Sequence, residues 1–505
     1  MNLKELISEI NIIEIYNKNK LCDIDITGIS YDSRKVKPGN IFVAFKGENF
    51  DGHKYIQQSL QKGAVFVVCD NPDFCKDLSK PVIYVKDSRK TLAHLAAKFY
   101  DYPSQKLILI GVTGTDGKTT TCEIIYRMLR QSGKKAAIIS TFGARIGSEV
   151  IKTGLHTTTP NSVDVQKLLA KMVEFNTDIA ILETSSHGLA QYRVEACHFD
   201  IGIVTNLTSD HLDYHKTLER YKKAKAKLLR YIENKNNNSQ KPKTIILNKN
   251  DKHFDFFNQY KADNNLSFGF KTGADYRAVD TNISEGGVEF VLEAENKTQN
   301  ITSPLMGKHN VENILAAIAA CRVLHIDWDK IVSTLKSIPT VMGRLDKIEH
   351  KRGNFNVIID FAHTPHGLES VLKTVKNFTK NNIHVIFGCP GLRDQTKREP
   401  MGRIAAKHAD KVYITADDPR EEVLVKIMNQ IAEGCIKEGK KMGTAYFMIP
   451  NRKNAIRKAI NSAEEGDTVI ACGKAHEKSL AISGKEIPWN EYKVVSEALK
   501  NKKHV

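Results

Sequence analysis

The sequence predicts an α/β protein of three domains: a small N-terminal α/β domain, a central doubly wound α/β domain, and a C-terminal Rossmann-like α/β domain. Three observations carry this expectation. The chain has 505 residues, and roughly 100 to 200 residues per domain is the usual size. Short continuous apolar runs alternate with helix-length polar–apolar stretches, as in sheets of parallel strands buried on both faces. One of those runs, Leu107 to Val112, leads into a glycine-rich segment and then a helix-forming one, the place where open parallel sheets bind their ligands.

The elements follow in order. The first hundred residues hold short apolar runs at Gly28-Ile29, Ile41 to Phe45, Ala64 to Cys69 and Val82 to Val85, separated by turns such as Lys37-Pro38-Gly39-Asn40, and form a first domain over 1–104. The chain turns at Tyr102-Pro103-Ser104. A second domain, 105–340, then reads as strands at Leu107 to Val112, Ala136 to Ile139, Ile179 to Leu182, Ile201 to Val204 and Thr244 to Leu247, with a helix over Cys122 to Arg130 and a closing helix near Asn310 to Leu324. Glu233 to Thr244 is polar, rich in Asn, and reads as an exposed loop. The third domain, 341–505, begins after Gly343-Arg344, with strands at Val357 to Ile359, Val385 to Phe387, Lys411 to Ile414 and Thr468 to Cys472.

Composition narrows the function classes. Charged residues are 26% and hydrophobic residues 41%, which excludes collagen-like and disordered chains. No run of 18 uncharged apolar residues occurs and the N-terminus carries Lys4, Glu5 and Glu9, so neither membrane insertion nor export is expected and the cytoplasm is the expected location. The nine Cys are scattered without C-x-x-C pairs, and free buried thiols are expected rather than zinc or disulfides. The net charge of +17 suits a polyanionic partner. Nucleic acid is not expected, because basic runs of five or more are missing and few aromatics lie among the lysines.

Gly111-Val112-Thr113-Gly114-Thr115-Asp116-Gly117-Lys118-Thr119-Thr120 carries the first chemistry. Glycines let backbone N–H groups turn onto phosphate, Lys118 offers a point charge, Thr119 suits Mg²⁺, and the following helix adds its dipole. The spacing misses the general P-loop pattern by one, since five residues rather than four separate Gly111 from Gly117. Glu183-Thr184-Ser185-Ser186-His187-Gly188-Leu189 ends a strand, and Asp210-His211-Leu212-Asp213-Tyr214-His215 is read as ending the next. Carboxylate and imidazole there suit Mg²⁺ or Mn²⁺. Lys222, Lys223, Lys225 and Lys227 share a helix-like segment that reads as a solvated basic face.

Gly-Thr-Asp-Gly-Lys-Thr-Thr, residues 114–120, resembles the G-T-N-G-K-T-T signature of the Mur ligases, ATP-dependent amide-forming enzymes of cell-wall precursor synthesis, with Asp116 where Asn is usual. The likeness runs nearly end to end. It implies ATP bound by Gly114, Thr115, Asp116, Gly117, Lys118, Thr119, Thr120, Asn310, Arg344 and Asp360; a metal held by Thr119, Glu183, His211 and Lys225; and catalysis by Lys118, Glu183, His211 and Lys225. Tyr221-Lys222-Lys223-Ala224-Lys225 matches the family's Tyr-x-x-Ala-Lys, whose lysine carries a CO2-derived carbamate, which implies a buried Lys225 with a depressed pKa.

Within the family the pattern is most similar to the branch that adds a diamino acid to a UDP-linked muramoyl dipeptide. Asp32-Ser33-Arg34 and Asp51-Gly52-His53 resemble the segments at the uridine end, and Ser33, Thr158, Thr159, Ser185, Gln191 and Arg193 are implied to hold UDP-MurNAc-dipeptide. Asp360-Phe361-Ala362-His363-Thr364-Pro365 resembles D-Y-A-H-T-P, although His366 stands where Asp is usual. Arg393, Asp417, Asp418, Pro419, Arg420, Gly473 and Glu477 are implied to bind the amino acid. Asp417-Asp418-Pro419-Arg420 is similar to D-N-P-R, the mark of diaminopimelate-adding enzymes, because a guanidinium pairs with the extra carboxylate that lysine lacks. Departures at Pro390, Leu392, Asp418 and Ala475 fall in this pocket and leave lysine as the alternative amino acid. A monomer acting on two small-molecule substrates is expected. The rivals are another member of the superfamily, such as a D-Glu-adding ligase or a folylpolyglutamate synthetase, and, from another class, a nucleotide switch on nucleic acid, supported only by the net charge.

Overall fold

The computed structural model describes residues 1–18, 24–47, 50–76, 78, 80–154, 157–233 and 241–502. Strands β1 (Ile12–Tyr16), β2 (Gly28–Ser30), β3 (Asn40–Val43), β4 (Phe66–Cys69) and β5 (Val82–Val85) form the first sheet in the order β1-β5-β4-β3-β2, parallel except for β1. Strands β3 and β4 are buried along their whole length, which is why they appear in the sequence as unbroken apolar runs.

The central sheet has eleven strands. Its parallel middle comprises β6 (Ile108–Thr113), β7 (Ala136–Ser140), β10 (Ile179–Glu183), β11 (Ile201–Val204), β12 (Thr244–Asn248) and β13 (Asn264–Gly269); β8 (Gly143–Ile146) and β9 (Glu149–Ile151) extend one side, and β14 (Tyr276–Ser284), β15 (Gly287–Ala294) and β16 (Lys297–Ser303) the other. Side chains alternate between its faces. Ile110, Ile138 and Ile181 pack with helices Lys118–Gln131 and Lys308–Val323, while Leu109, Ala137 and Leu182 pack with helices Ser162–Glu174 and Leu218–Glu233. Strand β6 lies between β10 and β11. The chain therefore reverses its direction of travel across the sheet at β6, and the crevice beyond its carboxyl end is the switch point where such sheets bind ligands.

The third sheet orders β17 (Asp346–Lys347), β18 (Asn356–Asp360), β19 (Ile383–Phe387), β20 (Lys411–Ile414), β21 (Tyr446–Met448) and β22 (Thr468–Cys472) as β17-β18-β22-β19-β20-β21, parallel except at β17. A hairpin of β23 (Ser479–Ile482) and β24 (Lys485–Pro488) follows. Among the described residues no helix is long and apolar enough to cross a membrane.

Several expectations need correction. The antiparallel arm β14–β16 is absent from the sequence reading, because its strands alternate buried and exposed positions and carry many polar residues. The segment from Asp210 to His215 does not end a strand: β11 stops at Val204, a loop intervenes, and His211 sits with positive φ just before the short helix Leu212–His215. Cys69 and Cys75 form a disulfide, because the Asn-Pro turn after β4 folds a short 3-10 helix back onto the strand end; their separation of 6 is wider than a C-x-x-C pair. Cys122, Cys197, Cys321, Cys389, Cys435 and Cys472 are free and buried. Most of the Glu233 to Thr244 loop, 234–240, lies outside the described residues, as does Cys22.

One ion pair anchors the third domain. The side chains of Arg452 and Glu491 are fully buried, with Nη2 to Oε1 at 2.6 Å, and Arg452 also donates to Cys472 O at 2.7 Å, joining two helices to β22. Removing one partner leaves the other charge unpaired in the core. Glu491→Ala should lower stability by about 3 to 5 kcal/mol, read from the denaturant midpoint with far-UV circular dichroism.

Candidate active site

The glycine-rich loop leaves β6 and opens helix Lys118–Gln131. Two of its glycines are dictated by both backbone and space. Gly114 has φ +151° and a Cβ there would lie 1.8 Å from Thr205 Oγ1; Gly117 has φ +82° and a Cβ there would lie 2.2 Å from Asn313 Oδ1. The loop is held from beneath: Asp116 N donates to Asn206 Oδ1 at 2.9 Å, and Thr205 Oγ1 donates to Asp116 O at 2.6 Å. Lys118 Nζ folds back on Gly114 O and Thr115 O, at 3.0 and 2.7 Å.

Glu183, at the carboxyl end of β10, is buried and accepts from three directions: Thr119 Oγ1 at 2.9 Å, Thr141 N at 3.0 Å and Thr141 Oγ1 at 3.1 Å. Thr141 Oγ1 in turn lies 3.4 Å from Thr158 Oγ1. Arg344 of the third domain donates through Nη2 to Thr119 Oγ1 at 3.2 Å and lies over the ring of Phe361 at 4.9 Å. Its Nε is buried without a hydrogen-bond partner, the condition expected of a guanidinium aimed at an anion.

Lys225 is buried, with Nζ 2.6 Å from Gly114 O, and burial together with the Lys118 ammonium pushes its pKa well down. This helix therefore does not match the expected solvated face. Lys223 is exposed, but Lys222 lies over Phe256 at 4.2 Å and Lys227 over Tyr192 at 4.0 Å, both half-buried. Beside Lys225 stand three imidazoles, with ring centroids of His187 4.8 Å from His211 and 5.5 Å from His215. Burial lowers all three, His187 to about 4, His211 to about 3 and His215 to about 4, so each is neutral near pH 7. Asp210 is held well below the usual carboxylate range against its own burial, by His211 foremost, and lies 3.2 Å from His211 Nε2.

Thr159, Ser185, Gln191 and Arg193 form one cluster. Ser185 N donates to Thr159 Oγ1 at 2.8 Å, Arg193 Nη1 to Thr159 O at 2.6 Å and Arg193 Nη2 to Gln191 Oε1 at 2.8 Å. Ser33 stands apart from it in the first domain, where its carbonyl accepts from Lys62 Nζ at 3.0 Å. Tyr31 OH, two residues earlier, donates to Asp164 at 2.9 Å and ties the first domain to the second.

A cavity between the second and third domains is walled by Gly117, Thr120, His309, Asn313, Arg344 and Asp360. Asp360 accepts from Leu345 N and Ala362 N, both at 2.6 Å, yet burial raises it to about 6. Asn310 is not on this wall. It turns inward, donating to Met306 O at 2.7 Å and accepting from Asn313 at 2.9 Å, so Asn313 and His309 face the cavity in its place. Helical spacing contained that signal, since 309 and 313 lie one turn apart on a single face.

In the third domain Gly473, φ +103°, passes so close to Asp417 that a Cβ would sit 2.4 Å from Oδ2. Asp417 is buried and raised to about 6 by that burial. Asp418 and Arg420 flank Pro419, both with positive φ; Asp418 accepts from Lys474 Nζ at 2.7 Å and from Ala481 N at 2.9 Å. Lys474 also pairs with Glu477. Asp417, Asp418 and Glu477 have the closeness of a cation site, and the buried Lys474 ammonium, unremarked in the sequence reading, pairs with two of them. Arg420 is half-buried, and burial with the neighbouring Arg393 lowers its pKa. Arg393 reaches toward Asp213 of the second domain at 3.9 Å.

Comparison with known proteins fits these features into a family. The profile "Mur ligase middle domain" matches residues 112–321, "Mur ligase, glutamate ligase domain" 343–475 and "Mur ligase family, catalytic domain" 25–100. The chain is 39% identical over 479 residues to UDP-N-acetylmuramoyl-L-alanyl-D-glutamate–2,6-diaminopimelate ligase of Geobacillus thermodenitrificans, covering 95% of this chain and 96% of that one. It is 36% identical over 491 residues to the ligase of that name in Listeria monocytogenes, covering 97% of each. A solved structure of a ligase of that name superposes with TM-score 0.64 at 31% identity, over 94% of this chain and 95% of that one. MurF from Acinetobacter baumannii shares the fold, with TM-score 0.68 at 19% identity over 99% and 98%.

The neutral imidazoles set a pH dependence. His215 has an ordinary value of 6.5 that folding lowers to about 4, so between these values the unfolded chain binds the extra proton and stability falls as pH falls. The slope from one such group is about 1.4 kcal/mol per pH unit. His215→Gln should flatten the fall in unfolding free energy below about pH 6 by close to that amount, in urea titrations over a pH series.

Proposed function

The chain belongs to the Mur ligase family, and on that premise we propose that it joins meso-2,6-diaminopimelate to the D-Glu γ-carboxylate of UDP-MurNAc-L-Ala-D-Glu, using ATP, in the cytoplasm. The observation that carries the reaction type is the contact chain Arg344–Thr119–Glu183, by which the third domain reaches the phosphate loop of the second. The identity of the relatives along nearly the whole chain supports the substrates.

A carboxylate does not acylate an amine directly, because oxide is a poor leaving group. The γ-phosphoryl group of ATP is first transferred to the carboxylate oxygen and ADP leaves; the amine then attacks the acyl carbon, a C–N bond forms, and inorganic phosphate leaves as the nitrogen loses its proton. Both steps need positioned charge more than covalent help from the protein. Lys118 exchanges its loop carbonyls for phosphate oxygens, and the loop N–H groups with the helix N-terminus complete the cradle that glycines 114 and 117 leave open. Arg344 brings a second cation from the opposite domain. Thr119, Glu183 and His211, with Lys225 as its carbamate, are the residues that would hold magnesium, which when bound neutralises phosphate charge. Carbamylation requires an unprotonated amine, and the burial of Lys225 shifts it toward that form. Thr158, Thr159, Ser185, Gln191 and Arg193 hold the muramoyl peptide, and Ser33 lies at its uridine end.

Diaminopimelate rather than lysine is favoured by Arg420, whose guanidinium lies near that of Arg393 and suits a second carboxylate. Asp418, where the resemblance expects Asn, keeps this reading, because its carboxylate is engaged by Lys474 instead of presenting a free anion to an incoming amine.

Two measurements test the proposal. Lys118→Ala should abolish phosphate release with UDP-MurNAc-dipeptide and diaminopimelate, and retained turnover would refute the assignment of the loop. Arg420→Met should lower kcat/KM for diaminopimelate by about 10- to 100-fold, the worth of a charge-assisted bidentate pair, while leaving that for lysine within about threefold.

A further inference from the structure

Two positions in otherwise family-like segments depart from the family pattern, Asp116 in the phosphate loop and His366 at the start of helix Pro365–Lys376, and the structure brings them together. They lie 250 residues apart in sequence, with His366 Nδ1 3.4 Å from Asp116 Oδ2. We propose that Asp116 and His366 are a compensated positioning pair that docks the third domain on the phosphate loop and lets a carboxylate stand at the mouth of a polyanion site.

The surroundings explain why neither residue works alone. The backbone of Asp116 is fixed, because its N–H is held by Asn206 and its carbonyl by Thr205 and Asn206. Its Oδ1 lies 3.7 Å from where a Cβ on Gly367 would be, so the carboxylate rests against the first turn of the helix that Thr364 caps. A helix N-terminus favours an anion there. His366 is faced by Asp116 from the loop, by Glu312 from helix Lys308–Val323 and by Glu369 from its own helix, all acidic. Both residues line the cavity that also holds Gly117, Thr120 and Arg344. Were Asp placed at 366 beside Asp116, two carboxylates would oppose each other across the place where phosphates must bind. Were Asn placed at 116 opposite His366, the imidazole would lose the anion it holds. The two departures therefore compensate each other, and exchanging both restores a compatible amide–carboxylate pair.

This inference rests on the ATP-dependent reading above, and the experiment separates the two. ADP binding to the full-length protein is measured by calorimetry for the wild type, Asp116→Asn, His366→Asp and the double variant. His366→Asp should weaken ADP about tenfold, Asp116→Asn about two- to threefold, and the double variant should return to within about threefold of the wild type. The loss in His366→Asp should shrink as salt rises, and the KM for ATP should follow it while the KM for UDP-MurNAc-dipeptide stays level; a general packing defect would show neither pattern. Unchanged ADP affinity in His366→Asp, or a double variant as weak as that single one, would overturn the pair. Should His366→Asp fail to fold, His366→Gln takes its place, with binding weakened about threefold and improved by adding Asp116→Asn; affinity equal to the wild type would overturn the proposal. A wild type that binds no ADP would overturn the ATP-dependent reading itself.

Discussion

The hydrogen bonds that run from Arg344 through Thr119 to Glu183 are the contact on which the rest of the site depends. Thr119 belongs to the helix that follows the phosphate loop, Glu183 to the end of the neighbouring strand, and Arg344 to another domain. A buried carboxylate in this position needs donors, and Thr119 and the Thr141 turn provide them, while Arg344 of the third domain donates to Thr119 in turn. The same arrangement aims Thr119, Glu183 and an unsatisfied Arg344 Nε at one small volume between domains. The site is thus a product of docking, and each domain alone holds an incomplete half.

Burial is the second constraint, and it acts on nitrogen in a consistent direction. Lys225, His187, His211 and His215 share one region, and removal from water disfavours a proton on each of them. A lysine shifted toward its neutral amine and three neutral imidazoles thus gather beside a phosphate loop. Asp210, in contrast, has its charge favoured there, because it accepts from the His211 backbone N–H at 2.8 Å and Lys397 adds positive charge nearby. The chemistry proposed for this region follows from that sorting of protonation states more than from any single residue.

Much of the frame was legible in the sequence. Strands β4, β6, β7, β10, β11, β12 and β22 are buried through nearly their full length, so they appear as apolar runs whatever their neighbours are. The arm β14–β16 was not legible, since a sheet with one wet face reads as mixed polarity. Gly114, Gly117, Lys118 and Glu183 declared themselves through local motifs. Asn313, His309 and Lys474 did not, because their importance lies in what the fold carries against them. The burial of Lys225 within a lysine-rich helix has the same character: Ala224, Ala226, Leu228 and Leu229 show that the helix has an apolar face, but which lysine falls inside it is set by packing on the loop at Gly114.

The position of the charges explains why ligation and docking belong together. On the central side stand Lys118 and Lys225; on the third domain stand Arg344, Arg393, Arg420 and Lys474, of which Lys474 alone is matched by a close pair of carboxylates. Bringing like charges together without an anion between them is unfavourable, and burial, then the neighbouring Arg393, lowers the pKa of Arg420. A polyphosphate, a sugar diphosphate and a dicarboxylic amino acid are the anions that relieve this repulsion. In the proposed reaction the substrates would act as counterions for these groups, and the cations that face them are the same ones that would offset charge as the phosphoryl group moves.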